Sequence, residues 1–270
     1  MNIEAQFDDH FVVEVNKNLL STIIGRPFLF FNSLDSTQNK IIEVEYEHPV
    51  EGLAIGAGYQ EMGRGRFDRK WVGKKRKSVL MSVLLRPTAD QIQTIVMMAA
   101  LAVQKCIQEI QPDLVVDIKW PNDLLVDGKK IAGILVEHQH RPVEEGGSFI
   151  VLGIGLNVNL DTAVIPEISE ISTSLFSITN QDYDLTKVYS VLLNSLDHYY
   201  HELKKGMDLF TQWEDRLVTL GRLVRVTASD GIFEGLAESV IESGALVIRD
   251  TKTGSLRTVY AGDVNLIQLE

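Results

Sequence analysis

Between the apolar runs Leu124-Leu125-Val126 and Ile131-Ala132 stands the pair Asp127-Gly128. A two-residue type I′ turn needs positive φ at both central positions, which Asp-Gly supplies at little steric cost. The segment therefore predicts an antiparallel hairpin whose register follows from the turn. Val126 should face Lys129, Leu125 should face Lys130, Leu124 should face Ile131 and Asp123 should face Ala132. Since strand side chains alternate, Asp123, Leu125, Lys130 and Ala132 would share one face and Lys129 would point the other way. The Asp123 carboxylate and Lys130 ammonium would then flank one ligand across a diagonal of about 7–8 Å. Small Ala132 and Gly133 leave room for it, although the pattern alone also allows both lysines to be solvated turn residues.

Other segments surround this hairpin with a mixed fold. Strands are predicted at Pro27–Phe31, Leu53–Tyr59, Val79–Leu85, Val115–Trp120, Leu124–Val126, Lys130–Glu137 and Phe149–Val158. A helix should start after Thr88, with Gln91 completing a capping box, and run to about Gln111 before Pro112. A second should span Asp184 to Lys205, and a shorter one should run from Asp35 or Ser36 into Glu43–Glu47. Helices among mainly antiparallel strands make an α+β catalytic domain over residues 1–219. After about Leu220 the texture changes. Leu223–Thr227, Ile232–Ile241, Ala245–Arg249, Leu256–Tyr260 and Val264–Leu269 alternate with the turns Ser229-Asp230-Gly231, Ser243-Gly244 and Thr253-Gly254, which predicts a small barrel over 220–270.

Charge narrows the function. Lys and Arg number 26 against 37 Asp and Glu, a net of −11, which argues against a general nucleic-acid binder. The longest apolar run, Ile95–Val103, is nine residues, short of the roughly 20 that a membrane helix needs. A single cysteine, Cys106, and no leader pattern fit a reducing cytoplasm. The positive charge is nonetheless concentrated. Arg64, Arg66, Arg69, Lys70, Lys74, Lys75, Arg76 and Lys77 follow one another with only Asp68 opposing them, and Gly63 and Gly65 interleave with the first arginines. Glycine permits close backbone approach and arginine offers planar paired donors, so the loop reads as an anion site. It is neither a Walker A loop nor a dinucleotide fingerprint, because Asp68 stands where the third glycine would be.

Further residues carry less specific signals. Cys106 falls on the apolar stripe of its helix and reads as core. Asp35-Ser36-Thr37 reads as a helix N-terminus or as a polar ligand site. Trp71 is either a core aromatic or a stacking face. Gly153 and Gly155 lie in an apolar strand, which suggests a close approach. His138, His140, His198 and His201 complete no metal-ligand pattern.

Taken together, five segments resemble biotin–protein ligases. They are Asp35-Ser36-Thr37; Gln60 with Gly63-Arg64-Gly65-Arg66 and Arg69-Lys70-Trp71; Lys119-Trp120-Pro121-Asn122-Asp123; Lys130-Ile131-Ala132-Gly133-Ile134-Leu135-Val136-Glu137; and Gly153-Ile154-Gly155-Leu156-Asn157. They occur in family order over Asp35–Asn157, and the tail suits the family's small SH3-like C-terminal domain. The resemblance implies two-step chemistry with ATP and biotin as substrates and Mg²⁺ present. Biotin's carboxylate attacks the α-phosphate to give biotinyl-5′-AMP, and a lysine of a biotin carboxyl carrier protein domain then takes the biotinyl group. Carried over on this basis, Ser36, Thr37, Gln60, Gly63, Arg64, Arg66, Lys130 and Gly133 would bind biotin. Arg66, Arg69, Trp71, Asn122, Lys130 and Asn157 would bind the nucleotide, with Trp71 on or near adenine. Lys130 would neutralise carboxylate and phosphate, Asp123 would orient the carrier lysine, and Arg64 would join them in catalysis.

Two departures from the family pattern stand out. Phe67 and Asp68 replace an Arg-Gly pair of the loop, and Gln38 follows Ser36-Thr37 where many members have Asn, so only the hydroxyl residues are carried over. The 34 residues before Asp35 are too few for the winged helix of bifunctional members, so no repressor function and no specific DNA binding are expected. A lipoate ligase, whose Arg-Arg-x-x-Gly-Gly-Gly signature is missing, and a biotin- or anion-binding module without turnover are the alternatives. The sequence leaves monomer and homodimer both open.

Overall fold

The computed structural model describes residues 7–47, 50–142, 146–228 and 231–267. The first half alternates helix and strand: α1 (Asp9–Lys17), β1 (Phe28–Phe31), α2 (Thr37–Glu47), β2 (Ala54–Ala57), β3 (Ser78–Leu85) and α3 (Ile95–Ile110). Then come β4 (Asp117–Lys119), β5 (Asp123–Val126), β6 (Lys129–Gln139), β7 (Phe149–Asn157), α4 (Leu175–Thr179), α5 (Leu185–Lys204) and α6 (Leu209–Glu214). Seven strands form one sheet in the order β1-β2-β3-β7-β6-β5-β4, parallel only between β1 and β2. This is the mixed, mainly antiparallel α+β sheet expected. No helix among the described residues is long and apolar enough to cross a membrane.

Strand alternation divides the sheet into two differently covered faces. Val79, Met81, Val83, Leu85, Ile150, Leu152, Ile154 and Leu156 enter the large core under α3 and α5. On α3, Met98, Ala102 and Cys106 recur at helical spacing and are fully buried, so Cys106 is core; burial pushes its thiol pKa far up. The helix starts later than its capping box suggested. Gln91 does reach back to the Thr88 amide (3.2 Å), but the turn it closes leads into a short 3-10 segment at Ile92–Thr94, and the α-helix begins at Ile95. On the opposite face α2 packs Ile41 against Ile55, Ala57, Leu84, Phe149 and Val151. It covers only part of that face. The uncovered remainder, beyond the helix N-terminus, is the floor of a cleft.

The hairpin turn has the expected positive φ at Asp127 (49°) and Gly128 (75°). Val126 faces Lys129 and Leu125 faces Lys130, as the turn dictates. Further along the expectation fails, because Leu124 faces Ala132 and Asp123 faces Gly133. Ile131 is the extra residue of a β-bulge, and it lets Ile131 and Ala132 both enter the apolar core beside Leu124. Two small-to-medium apolar residues are thereby buried at the cost of one step of register. Ala132 leaves the ligand face and Gly133 takes its place.

The last five strands, β8 (Leu223–Ala228), β9 (Gly231–Val240), β10 (Leu246–Asp250), β11 (Leu256–Val259) and β12 (Asp263–Leu266), form an antiparallel sheet in the order β11-β10-β9-β8-β12. The predicted strand Val264–Leu269 ends in residues outside the described ones, as do Ser229 and Asp230 of one predicted turn. Val224, Val226, Phe233 and Ile248 join the same apolar core as Trp120 and Met97. Trp120 donates from Nε1 to the Gly244 carbonyl (2.8 Å) and from its amide to Thr219 Oγ1 (2.9 Å), pinning this sheet beside β4 and β5.

Candidate active site

The floor of the cleft is built from strand register. Leu80, Gly155, Gly133 and Asp123 lie side by side across β3, β7, β6 and β5, and Ser82, Gly153 and Leu135 form the next row. Glycines at 133 and 155 make space that two other side chains use. A Cβ at Gly155 would stand 2.5 Å from the Trp71 ring, and one at Gly133 would stand 2.9 Å from Lys130 Nζ. Trp71 therefore lies flat against the floor, with Lys130 Nζ 5.6 Å from its ring centroid.

Beyond the N-terminus of α2 the cleft is lined by polar side chains. Gln60 Oε1 accepts from the Thr37 amide (2.7 Å) and from Thr37 Oγ1 (3.0 Å), while Thr37 Oγ1 also meets Ser82 Oγ at 2.7 Å. Ser36 is buried beside them. Gln38, which the sequence reading set aside, is also buried here and lines the cleft. Ser82 was missed as well, although a lone serine in Val79–Leu85 was a readable signal.

Over the other half of the floor hangs the basic loop. It is tied into a compact excursion by Trp71 N–H to Gly63 carbonyl (2.9 Å) and Gly65 N–H to Arg69 carbonyl (2.7 Å). Arg64 donates to Asn39 Oδ1 (3.0 Å) and pairs with Glu137 (3.3 Å); Arg66 donates to Asn122 Oδ1 (3.3 Å). Phe67, in place of the family's arginine, adopts φ 55°, a left-handed conformation costly for a bulky residue, and carries the Arg66 guanidinium 4.8 Å from its ring centroid. The basic run does not act as one patch. Arg64, Arg66, Arg69 and Lys70 line the cleft, whereas Arg76 pairs with Asp8 and Asn32, and Lys77 sits 3.7 Å from Asp182.

Lys130 and Asp123 meet on the cleft face, with Nζ and Oδ1 2.6 Å apart as an ion pair rather than an aligned hydrogen bond. The lysine backbone is held on its far side by bonds to Ile171 and Thr173 (both 2.9 Å). Lys129 points away, its Nζ 3.3 Å from the Ser169 carbonyl at the surface. Asn157, expected to bind nucleotide, lines the cleft and is also anchored internally: Nδ2 donates to the Thr173 carbonyl (3.1 Å) and Oδ1 accepts from Ser78 (3.4 Å). It braces the strip that holds Lys130. Asn122 likewise spends Nδ2 on the Ile134 carbonyl (2.7 Å) but keeps Oδ1 facing the loop.

Electrostatically the cleft is a cationic site with internal counter-ions. Burial lowers the pKa of Arg66 and Lys119, opposed by the nearby carboxylates of Asp123 and Asp263. Lys119, to which the family segments assign no role, borders the cleft from β4. Asp263 comes from β12, 140 residues after Asp123. Its carboxylate takes two bonds from Arg69 (3.2 and 2.7 Å), which hold its pKa below the ordinary value. No local signal could have placed Asp263 in the site.

A cleft with polar side chains at one end, a cationic loop at the other and Lys130 on its floor, on a mixed sheet flanked by a five-stranded one, fits the class of ligases that activate a carboxylic acid with a nucleotide. Residues 30–157 match the biotin/lipoate A/B protein ligase family, and residues 219–266 match the biotin protein ligase C-terminal domain. The chain is 31% identical over 258 residues to the bifunctional ligase/repressor BirA of Bacillus subtilis, covering 94% of this chain and 78% of that protein. It is also 31% identical over 222 residues to the biotin–[acetyl-CoA-carboxylase] ligase of Mycobacterium tuberculosis, covering 80% and 79%. Its fold matches the biotin protein ligase of Aquifex aeolicus, solved with biotin and ATP, at a TM-score of 0.74 and 27% identity over 90% of this chain and 99% of that one. The chain belongs to the biotin/lipoate A/B protein ligase family.

Proposed function

We propose that this chain is an ATP-dependent biotin–protein ligase that modifies a biotin carboxyl carrier protein domain. The observation that carries the reading is that Lys130 stands in one cleft with the polar side chains of the α2 N-terminus and the arginines of the basic loop. An acid whose ring enters the pocket at Ser36, Thr37 and Gln60 brings its carboxylate out beside Lys130, against the face walled by Trp71 and Gly133. Trp71 lies deep enough to border the acid's ring as well as the nucleotide. Arg64, Arg66, Arg69 and Lys119 face the phosphates. MgATP arrives as one substrate. Asn122, whose Oδ1 lies 3.3 Å from Arg66, borders the phosphate side of the cleft and would help place the phosphates or their metal.

In the first step a carboxylate oxygen bonds to the α-phosphorus and pyrophosphate leaves. Two anions must approach each other, and fixed cations offset their repulsion without reorganising during the reaction. In the second step the carrier's lysine amine attacks the acyl carbon, AMP leaves, and the nitrogen loses a proton; Asp123 is positioned to accept from that amine. The excess of acidic residues, with the cleft-lining arginines turned inward, supports ligation rather than DNA recognition. Incubation with MgATP, biotin and a carrier domain should add one biotinyl group at one lysine. A carrier left unmodified with biotin but modified with lipoate would reassign the substrate.

A further inference from the structure

One bulky residue of the basic loop stands in a conformation that its side chain disfavours. Phe67 has φ 55° and ψ 43°, inside the left-handed region where a Cβ crowds the backbone and glycine or asparagine is usual. Such a residue persists where its surroundings hold it there. Core burial is not what holds it, because Phe67 is 58% exposed and lines the cleft. What the conformation achieves is a contact: the Arg66 guanidinium stacks on the ring, its Cζ 4.8 Å from the centroid. Arg66 has little else to fix it. Its side chain is half-buried, burial works against its charge, and among the described residues its hydrogen-bond partner is Asn122 Oδ1, at 3.3 Å. An aromatic face attracts a guanidinium without using its N–H donors, which stay free for an anion. An arginine at position 67, as in the family pattern, would repel the same charge.

We propose that Phe67 is a positioning residue for nucleotide activation: its ring seats the Arg66 guanidinium, so that this charge is directed at the phosphate side of the cleft before ATP arrives. A cation fixed in advance removes part of the reorganisation that the reaction would otherwise require. The role rests on the ligase reading above. It acts through Arg66, with no contact between the ring and the reacting atoms. The unfavourable backbone of Phe67 is offset by a better-placed charge.

The test follows pyrophosphate exchange into ATP, with biotin present, for wild type, Phe67→Ala, Phe67→Leu and Phe67→Tyr, and for Phe67→Ala in an Arg66→Ala background. Alanine and leucine both lose the aromatic face, and each should lower kcat/KM for ATP about two- to fivefold, the worth of an exposed cation–π contact. Tyrosine keeps the face and should stay within about 1.5-fold of wild type. KM for biotin should change by less than about twofold in all three. With Arg66 already replaced, Phe67→Ala should have no further effect, because a double-mutant cycle isolates what one side chain does through another. Leucine matching wild type would mean that any apolar cover suffices, and an undiminished loss in the Arg66→Ala background would mean that the ring touches the ligand itself; either result overturns the proposal. A kcat/KM within about 1.5-fold of wild type for Phe67→Ala overturns it as well. Leucine keeps most of the apolar volume, so it carries the comparison even where alanine unsettles the loop. A wild-type protein that exchanges no pyrophosphate with biotin would instead overturn the ligase reading, and this inference with it.

Discussion

Replacing Lys130 by alanine tests the arrangement where the charges are densest. Two anionic groups about 4 Å apart repel by roughly 4 kcal/mol at an effective permittivity of about 20, and a cation between them offsets much of that. Lys130 Nζ, 2.6 Å from Asp123 and held over the Trp71 ring, is the side chain between the acid pocket and the loop. Its removal also leaves Asp123 facing the cleft without its ion-pair partner, adding a third negative charge. Arg66 and solvent take up part of the loss, leaving about 3 kcal/mol, or on the order of 100-fold in rate. Biotinyl-AMP formation, followed by rapid quench, should fall by that factor in Lys130→Ala. In Lys129→Ala it should stay within about twofold, since that side chain meets only the Ser169 carbonyl at the surface. The Lys130 backbone bonds to Ile171 and Thr173 survive the change, so the unfolding temperature serves as the control. Equal effects of the two substitutions would refute the assignment of lysines to faces.

Gly155→Ala places a Cβ 2.5 Å from the Trp71 ring, so the indole must lift into the space of the acid. Overpacking of about 1–3 kcal/mol should appear as weaker biotin binding by calorimetry; unaltered biotin binding would refute the placement of Trp71. Asp263→Asn removes the carboxylate charge that holds Arg69. This pair is partly exposed and worth at most about 1 kcal/mol, so tryptic cleavage within the basic loop should quicken up to about fivefold. The pair's pH dependence has a definite sign. The pKa of Asp263 is lowered, so its contribution is present above the ordinary value of 3.8 and lost as pH falls through the lowered one. Loop cleavage in wild type should therefore show no transition from this pair between about pH 6 and 9; one that Asp263→Asn abolishes would contradict the sign.

Local signals made the sheet and most of the residues lining the cleft readable. Asp127-Gly128 placed the hairpin turn, the strand stretches fell within a few residues of β1 to β7, and Gly-Arg-Gly-Arg marked the cationic loop over the cleft. The parts that were not readable depend on tertiary choices. The bulge at Ile131 arises because the core takes two consecutive residues from β6, a preference that no turn propensity encodes. The division of the basic run depends on where Asp8, Asn32 and Asp182 stand in space. Gln38 differed from the family pattern and was set aside for that reason, yet burial shows it to be part of the pocket. Asp263 reached the cleft only through the packing of the second sheet against Trp120.

The central claim is that this cleft joins an acid to a nucleotide, and pyrophosphate exchange into ATP measures that step without a carrier protein. Labelled pyrophosphate should enter ATP when biotin is present, not with lipoate and not without an acid, and Lys130→Ala should lower the exchange on the order of 100-fold. Exchange supported by lipoate and not by biotin, or no exchange with either acid, would contradict it.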